Sequence, residues 1–100
     1  MAEYQYNLRG DVDLATASEV RSDLQAIIAG SDSHVLVDCS QLTFIDSTGI
    51  VVLLEAHRDL RADGREMLVT NVSPQCTKVF DVLGLSDLLR YDRAGNLSAS

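Results

Sequence analysis

Ser47 and its neighbours are the residues of this chain best suited to chemistry. In "LTFIDSTGIVVLL", Leu42 to Leu54, the turn formers Asp46, Ser47, Thr48 and Gly49 separate two apolar blocks. Read structurally, this is a strand-to-helix turn: Asp46 caps a helix, Ser47 takes the first helical position and Gly49 eases tight packing. A hydroxyl displayed there also invites three kinds of chemistry. A nucleophilic serine on an elbow wants a glycine two residues earlier and a histidine base within reach. Ile45 stands at that glycine position, and His34 begins the preceding strand, far from the turn. His57 lies further down the same helix, roughly 15 Å away at about 1.5 Å per residue. A phosphoaspartate site could draw on Asp11, Asp13 or Asp38 near strand ends, but it also wants a lysine, and the only one, Lys78, falls inside an expected helix. A phosphorylatable serine lacks no part. A helix N-terminus carries about half a positive charge and presents unpaired N–H groups, so a phosphate is tolerated there. It would add about 1.5 to 2 negative charges beside Asp46. A protein docked on the unmodified turn would then meet repulsion and a desolvation cost, and would leave with little refolding of this domain.

The remaining reactive residues read as structural. Arg58, Arg61 and Arg65 sit where a helix should end and complement its macrodipole. Cys39 and Cys76 belong to no CxxC pair and read as buried free thiols. His34 and His57 lack the partners and spacing of a zinc site, and nothing calls for a metal or an organic cofactor. The formal net charge of −7 argues against nucleic-acid backbones and anionic membrane surfaces. No apolar run approaches the roughly 20 residues that span a bilayer. The opening "MAEYQYNLRG" has neither a basic leader nor an apolar core, so a cytoplasmic location is expected.

The elements that must position Ser47 follow from periodicity. "EYQYNLR" alternates as a half-buried strand, and "GDVD" is expected to turn the chain. From Leu14 the period becomes helical: Leu14, Ala17, Val20, Leu24, Ile27 and Ile28 form one stripe, ended by Gly30. "HVLVD", His34 to Asp38, reads as a strand covered on both faces. A helix from about Ser47 to Ala62 stops at Gly64, and "REMLVT", Arg65 to Thr70, is the next strand. Ser73 and Pro74 open a helix that closes on Gly84, with Val79, Val82 and Leu83 as its buried side. "DLLRY", Asp87 to Tyr91, forms a last short strand. One hundred residues suit a single domain, here 1–92, with a polar tail over 93–100. An apolar fraction of 46% with only 5% aromatics predicts an aliphatic core. Strands alternating with helices imply an α/β domain with a largely parallel sheet.

Several features in order resemble the STAS domain, specifically the bacterial anti-sigma factor antagonists. They are the Gly10–Asp13 loop, the strand ending at Asp38, the Asp46-Ser47-Thr48-Gly49 turn, Gly64 before a strand, and Gly84-Leu85 near the end. The likeness covers the chain from about Tyr6 to Leu89. It implies an α/β fold with a mixed sheet of four to five strands, helices mainly on one face, and an N-terminal strand antiparallel to its neighbour. It implies a non-enzymatic switch: the unphosphorylated antagonist binds an anti-sigma factor that is also a serine/threonine kinase, which frees the sigma factor. Phosphorylation then releases the antagonist, and a phosphatase resets it. Carried onto this sequence, the phosphoacceptor is Ser47, with Thr48 as the competing acceptor. Asp46, Thr48, Gly49 and Ile50 would share the docking face, and Asp13 would meet a basic group on the partner. Family members usually have two strands before the Gly-x-x-Asp loop, and only one strand's worth of sequence precedes Gly10 here. A missing strand would leave an open edge and suggests a homodimer. Two other readings stay open: a STAS subunit of another regulatory or lipid-transport assembly, and a small serine hydrolase using Ser47.

Overall fold

The computed structural model describes residues 3–82 and 90–93, the last four as backbone. Its elements run β1 (Glu3–Val12), α1 (Ala17–Gly30), β2 (His34–Ile45), α2 (Ser47–Ala62), β3 (Met67–Val72), α3 (Pro74–Val82) and β4 (Arg90–Arg93). The sheet order is β1-β2-β3-β4, with the short β4 at one margin. All three pairings are parallel. The expected mixed sheet is therefore corrected: β1 lies parallel to β2, and no antiparallel pair occurs among the described residues. The reason is connectivity, since each strand reaches its neighbour through a helix, and such crossovers return the chain in the same direction. Every crossover steps the same way across the sheet, so right-handed connections put the helices on one face.

That face holds the core. Val35, Val37 and Cys39 of β2, Met67 and Val69 of β3, and Leu24, Leu53 and Leu60 of the helices are all at or below 1% exposure. Among the described residues Phe80 is the one fully buried aromatic side chain, set among these aliphatic ones. The opposite face is open among the described residues: Gln5 is exposed, Leu36 half-buried and Leu68 36% exposed. The expectation that β2 is covered on both faces is thus corrected; its Val35-Leu36-Val37-Asp38 stretch alternates between a sealed face and an accessible one.

Three boundaries move in ways that matter for Ser47. β1 does not turn at Gly10. It continues to Val12 through an irregularity between Gly10 and Asp11, where Gly10 takes a φ of 66° that a side chain would resist. β2 likewise does not stop at Asp38 but runs on to Ile45, and Val12 pairs with Ile45 at the far end of the ladder. Helix α1 starts at Ala17, three residues later than its apolar stripe suggested, leaving Leu14 81% exposed. Asp13 causes this delay. Its Oδ1 accepts from the amides of Ala15 and Thr16 (3.0 and 3.3 Å), which bends residues 13–16 into a capped turn.

Elsewhere, Ser73 caps α3 as expected, its Oγ accepting from the Cys76 amide at 3.3 Å. The buried side of α3 is nevertheless Cys76, Thr77 and Phe80; Val79 is partly buried and Val82 is 83% exposed. Leu83, the Gly84 stop, the first residues of the last expected strand and the tail from 94 lie outside the described residues. Arg65 is not in β3; its amide closes α2 by donating to the Leu60 carbonyl at 2.8 Å, while its side chain turns to another helix. It is buried to 5% exposure, and its guanidinium donates to the carbonyls of Ile28 (2.8 Å), Ser31 and Ser33 (3.1 Å), at the C-terminal end of α1. Its Nε sits 3.0 Å from Asp63 Oδ2, an ion pair by distance whose N–H is not aimed as a hydrogen bond. Of the three arginines, only Arg61 lies in the last turn of α2.

Candidate functional site

The ladder between β1 and β2 ends by placing the loop after one strand beside the turn after the other. The Asp46 amide donates to the Val12 carbonyl at 3.1 Å, tying the Ser47 turn to the Asp11–Thr16 segment. Asp46 then caps α2: its Oδ1 accepts from the amides of Thr48 (2.9 Å) and Gly49 (3.3 Å), while its carbonyl takes the first helical bond from Ile50. Ser47 is left exposed at the first helical position, and Thr48 is half-buried.

This geometry alters one expectation. Two of the amides that would cradle a phosphate are already occupied, held by the Asp46 carboxylate. A phosphate on Ser47 would stand next to that carboxylate and project outward, toward whatever docks on the turn. The helix dipole is answered by Asp46 before any modification occurs.

Gly49 and Ile50 do not line the docking face. Ile50 is 2% exposed and belongs to the core, and Gly49 is buried against Val12 and Ile45. A methyl group on Gly49 would lie 2.7 Å from Val12 Cγ1 and 2.8 Å from Ile45 Cγ1. Their role is to seat α2 on the two strand ends. Asp13 is half-buried, and its Oδ1 also lies 3.3 Å from Thr16 Oγ1. Thr16 Oγ1 in turn accepts from the Asp13 amide and donates to the Asp11 carbonyl at 2.7 Å, so this carboxylate shapes the loop beside Ser47.

Residues not expected from the sequence complete the surface. Leu14 in the capped loop, Phe44 just before the turn and Val51 one helical turn after Ser47 are 81%, 49% and 46% exposed. Phe44 and Val51 flank the exposed hydroxyl along the chain, and Leu14 lies in the segment tied to its turn through Val12; exposed large apolar side chains of this kind are the composition of an interaction surface. Leu14 heads the apolar stripe expected for α1, and only the later start of that helix leaves it facing outward; Val51 sits in a run of apolar residues that carries no signal of which member is exposed. Beside them, Asp11 is exposed and accepts from Thr43 Oγ1 at 2.6 Å, adding to the negative charge of Asp13 and Asp46.

A hydrolytic role for Ser47 finds no histidine base beside it among the described residues. His57 sits further along α2, with a burial-depressed pKa lowered further by Arg61, and His34 stands at the opposite end of β2, where its Nδ1 accepts the Glu66 amide at 3.0 Å. Among the described residues no group of His, Cys, Asp and Glu could hold a metal ion, and no helix is long and apolar enough to cross a membrane.

Comparison with known proteins agrees with this architecture. The STAS domain family model matches residues 4–97. An anti-sigma F factor antagonist from Paenibacillus polymyxa is 31% identical over 91 residues, covering 89% of this chain and 78% of the relative. An anti-sigma-B factor antagonist from Listeria monocytogenes is 28% identical over 80 residues, covering 80% and 70%. Among solved structures, the Bacillus cell fate determinant SpoIIAA in its phosphorylated form superposes with a TM-score of 0.68 at 27% identity, over 89% of this chain and 81% of that one. With nearly its whole length matched and its strand ends converging on one capped serine turn, the chain belongs to the STAS domain family.

Proposed function

We propose that this chain is an anti-sigma factor antagonist: a binding module, not an enzyme, that acts in the cytoplasm. In its unmodified form it docks an anti-sigma factor on the surface around Ser47 and so frees a sigma factor. That partner is also the serine kinase that phosphorylates Ser47, and a phosphatase restores the hydroxyl. The observation that carries this reading is the exposed Ser47 at the first position of α2, beside a carboxylate that already holds the neighbouring amides. The names of the relatives point the same way, as does the phosphorylated state of a similar solved structure.

The mechanism follows from charge and packing. The unmodified face offers apolar Leu14, Phe44 and Val51 with Asp46 and Thr48 at its centre, and Asp13 holds the adjoining loop in place. Phosphorylation adds about −2 beside Asp46. A partner surface that was dry against Ser47 must then either admit water or face unpaired charge, and it dissociates. Thr48 is the poorer acceptor, being half-buried with its amide under Asp46.

The test is binding of the full chain to its anti-sigma kinase, with phosphosite mapping after addition of ATP. Ser47→Ala should bind within about twofold of the parent and resist release by ATP. Ser47→Asp should bind at least about tenfold more weakly, a loss of about 1.4 kcal/mol. Equal binding by both variants, or phosphate found on Thr48 alone, would end the proposal.

A further inference from the structure

We propose that the outer edge of β1 and the groove beside it form a second docking surface, one that accepts an extended segment of a partner protein bearing Lys or Arg at alternate positions. β1 is ten residues long and, among the described residues, pairs only with β2. Its outer row of N–H and C=O groups is a template for one more strand. Beside that row, between β1 and α1, runs a groove of about 340 Å³. Leu8, Val12 and Val20 form its floor, and all are buried. Tyr6 makes one wall, its hydroxyl donating to Asp23 Oδ2 at 2.8 Å across the gap to α1.

Charge selects the occupant. Asp11, Glu19 and Asp23 line the groove against a single cation, Arg9, a sum of −3 + 1 = −2 from these four side chains. An added strand directs every second side chain to the helix-covered face of the sheet. A lysine or arginine there lays its methylenes along the half-buried Tyr6 and brings its charged head to Glu19 and Asp23. A second copy of this chain is the poorer occupant, because it carries the same three carboxylates and a net charge of −7. One end of the groove reaches the Asp11–Thr16 segment that adjoins the Ser47 turn, but Tyr6, Glu19 and Asp23 lie on β1 and α1 whereas Ser47 opens α2, so the proposal does not rest on phosphorylation.

The test uses the full, isotope-labelled chain and three short peptides: alternating Thr-Lys, alternating Thr-Glu, and a Thr-Lys peptide N-methylated at every residue, which keeps the charge but has no amide donor for a strand ladder. The Thr-Lys peptide should slow amide exchange along β1 and shift its resonances, and the other two should not. Glu19→Gln, at an exposed position, should weaken Thr-Lys binding by about twofold to fivefold while the melting temperature stays within a few degrees and Ser47-dependent partner binding stays the same. Equal protection by peptides of either charge would overturn the proposal, as would binding of the N-methylated peptide as well as Thr-Lys, or Thr-Lys shifts confined to residues outside β1 and α1. A free chain that sediments as a dimer with its β1 amides already protected would make the second copy the occupant, and would overturn it too.

Discussion

Replacing Gly49 by alanine tests whether α2 is seated as tightly as the site requires. The added methyl carbon would lie 2.7 Å from Val12 Cγ1, 2.8 Å from Ile45 Cγ1 and 3.1 Å from the Val12 carbonyl oxygen. Favourable carbon contacts lie at roughly 3.5 to 4 Å, so two core side chains must withdraw by nearly 1 Å or the helix must lift. Val12 and Ile45 are each 1% exposed and have no free space to enter. Overpacking of this kind costs about 1 to 3 kcal/mol, and the contact with backbone argues for the upper part of that range. Against it stands the helix preference of alanine over glycine, at most about 1 kcal/mol. The net loss is then about 2 kcal/mol, a fall in melting temperature of roughly 10 °C for a domain of this size. Gly30→Ala is the internal control: it ends α1, and an added methyl meets nothing within 4 Å. Thermal unfolding followed by circular dichroism should show the two substitutions moving in opposite directions or, at the least, Gly30→Ala leaving the transition in place. An unchanged or raised melting temperature for Gly49→Ala would refute the close seating. Because the same contact brings Val12 to Asp46, the variant should also bind the anti-sigma partner more weakly, with Ser47 intact.

Arg65→Met should destabilise the fold by about 3 to 5 kcal/mol, since it strips the carbonyls of Ile28, Ser31 and Ser33 of a buried donor; urea unfolding should show a lower midpoint at constant slope. Arg65→Lys should recover only part of the loss, because a single ammonium cannot span the three acceptors as the planar fork does. The amide of Ser40, and then Asn71, holds the Asp38 carboxyl below its ordinary value against an opposing burial effect. Its contribution is therefore in place above the unfolded value near 3.8 and fades as pH falls through the lower folded value, so Asp38→Asn should flatten stability against pH below about 4. His57 shifts down through burial first, so the unfolded chain takes up the proton earlier and stability should fall as pH drops below 6.5; His57→Gln should remove that slope. Burial pushes the Cys39 thiol up to about 12, with Cys76 and Asp38 adding to it, and both thiols are at most 3% exposed. A thiol reagent at pH 8 should leave both unreacted in the native chain and titrate two on unfolding; fast native labelling would contradict the placement of α3 on β2.

What the sequence by itself determined was local. Apolar period, a capping aspartate and a proline-led helix start set the order of strands and helices, the span of α2 and the position of Ser47 at its tip. These depend on side chains within a few residues of one another, where spacing and hydrogen-bonding capacity suffice. The tertiary structure decided what lies far apart in the chain. Pairing of Val12 with Ile45 extended both strands past their expected ends, because a ladder partner supplies the hydrogen bonds that a turn would otherwise provide. It also brought the Asp13 loop beside Ser47, turned Gly49 and Ile50 inward, and left Leu14, Phe44 and Val51 facing out. Arg65 shows the same limit: its charge reads as a cap for the helix before it, yet its three carbonyl partners lie in the last turn of α1 and the link that follows, 32 to 37 residues earlier and adjacent only after folding. A hydroxyl at a helix tip is written in sequence; which surface surrounds it is settled by which strand ends meet.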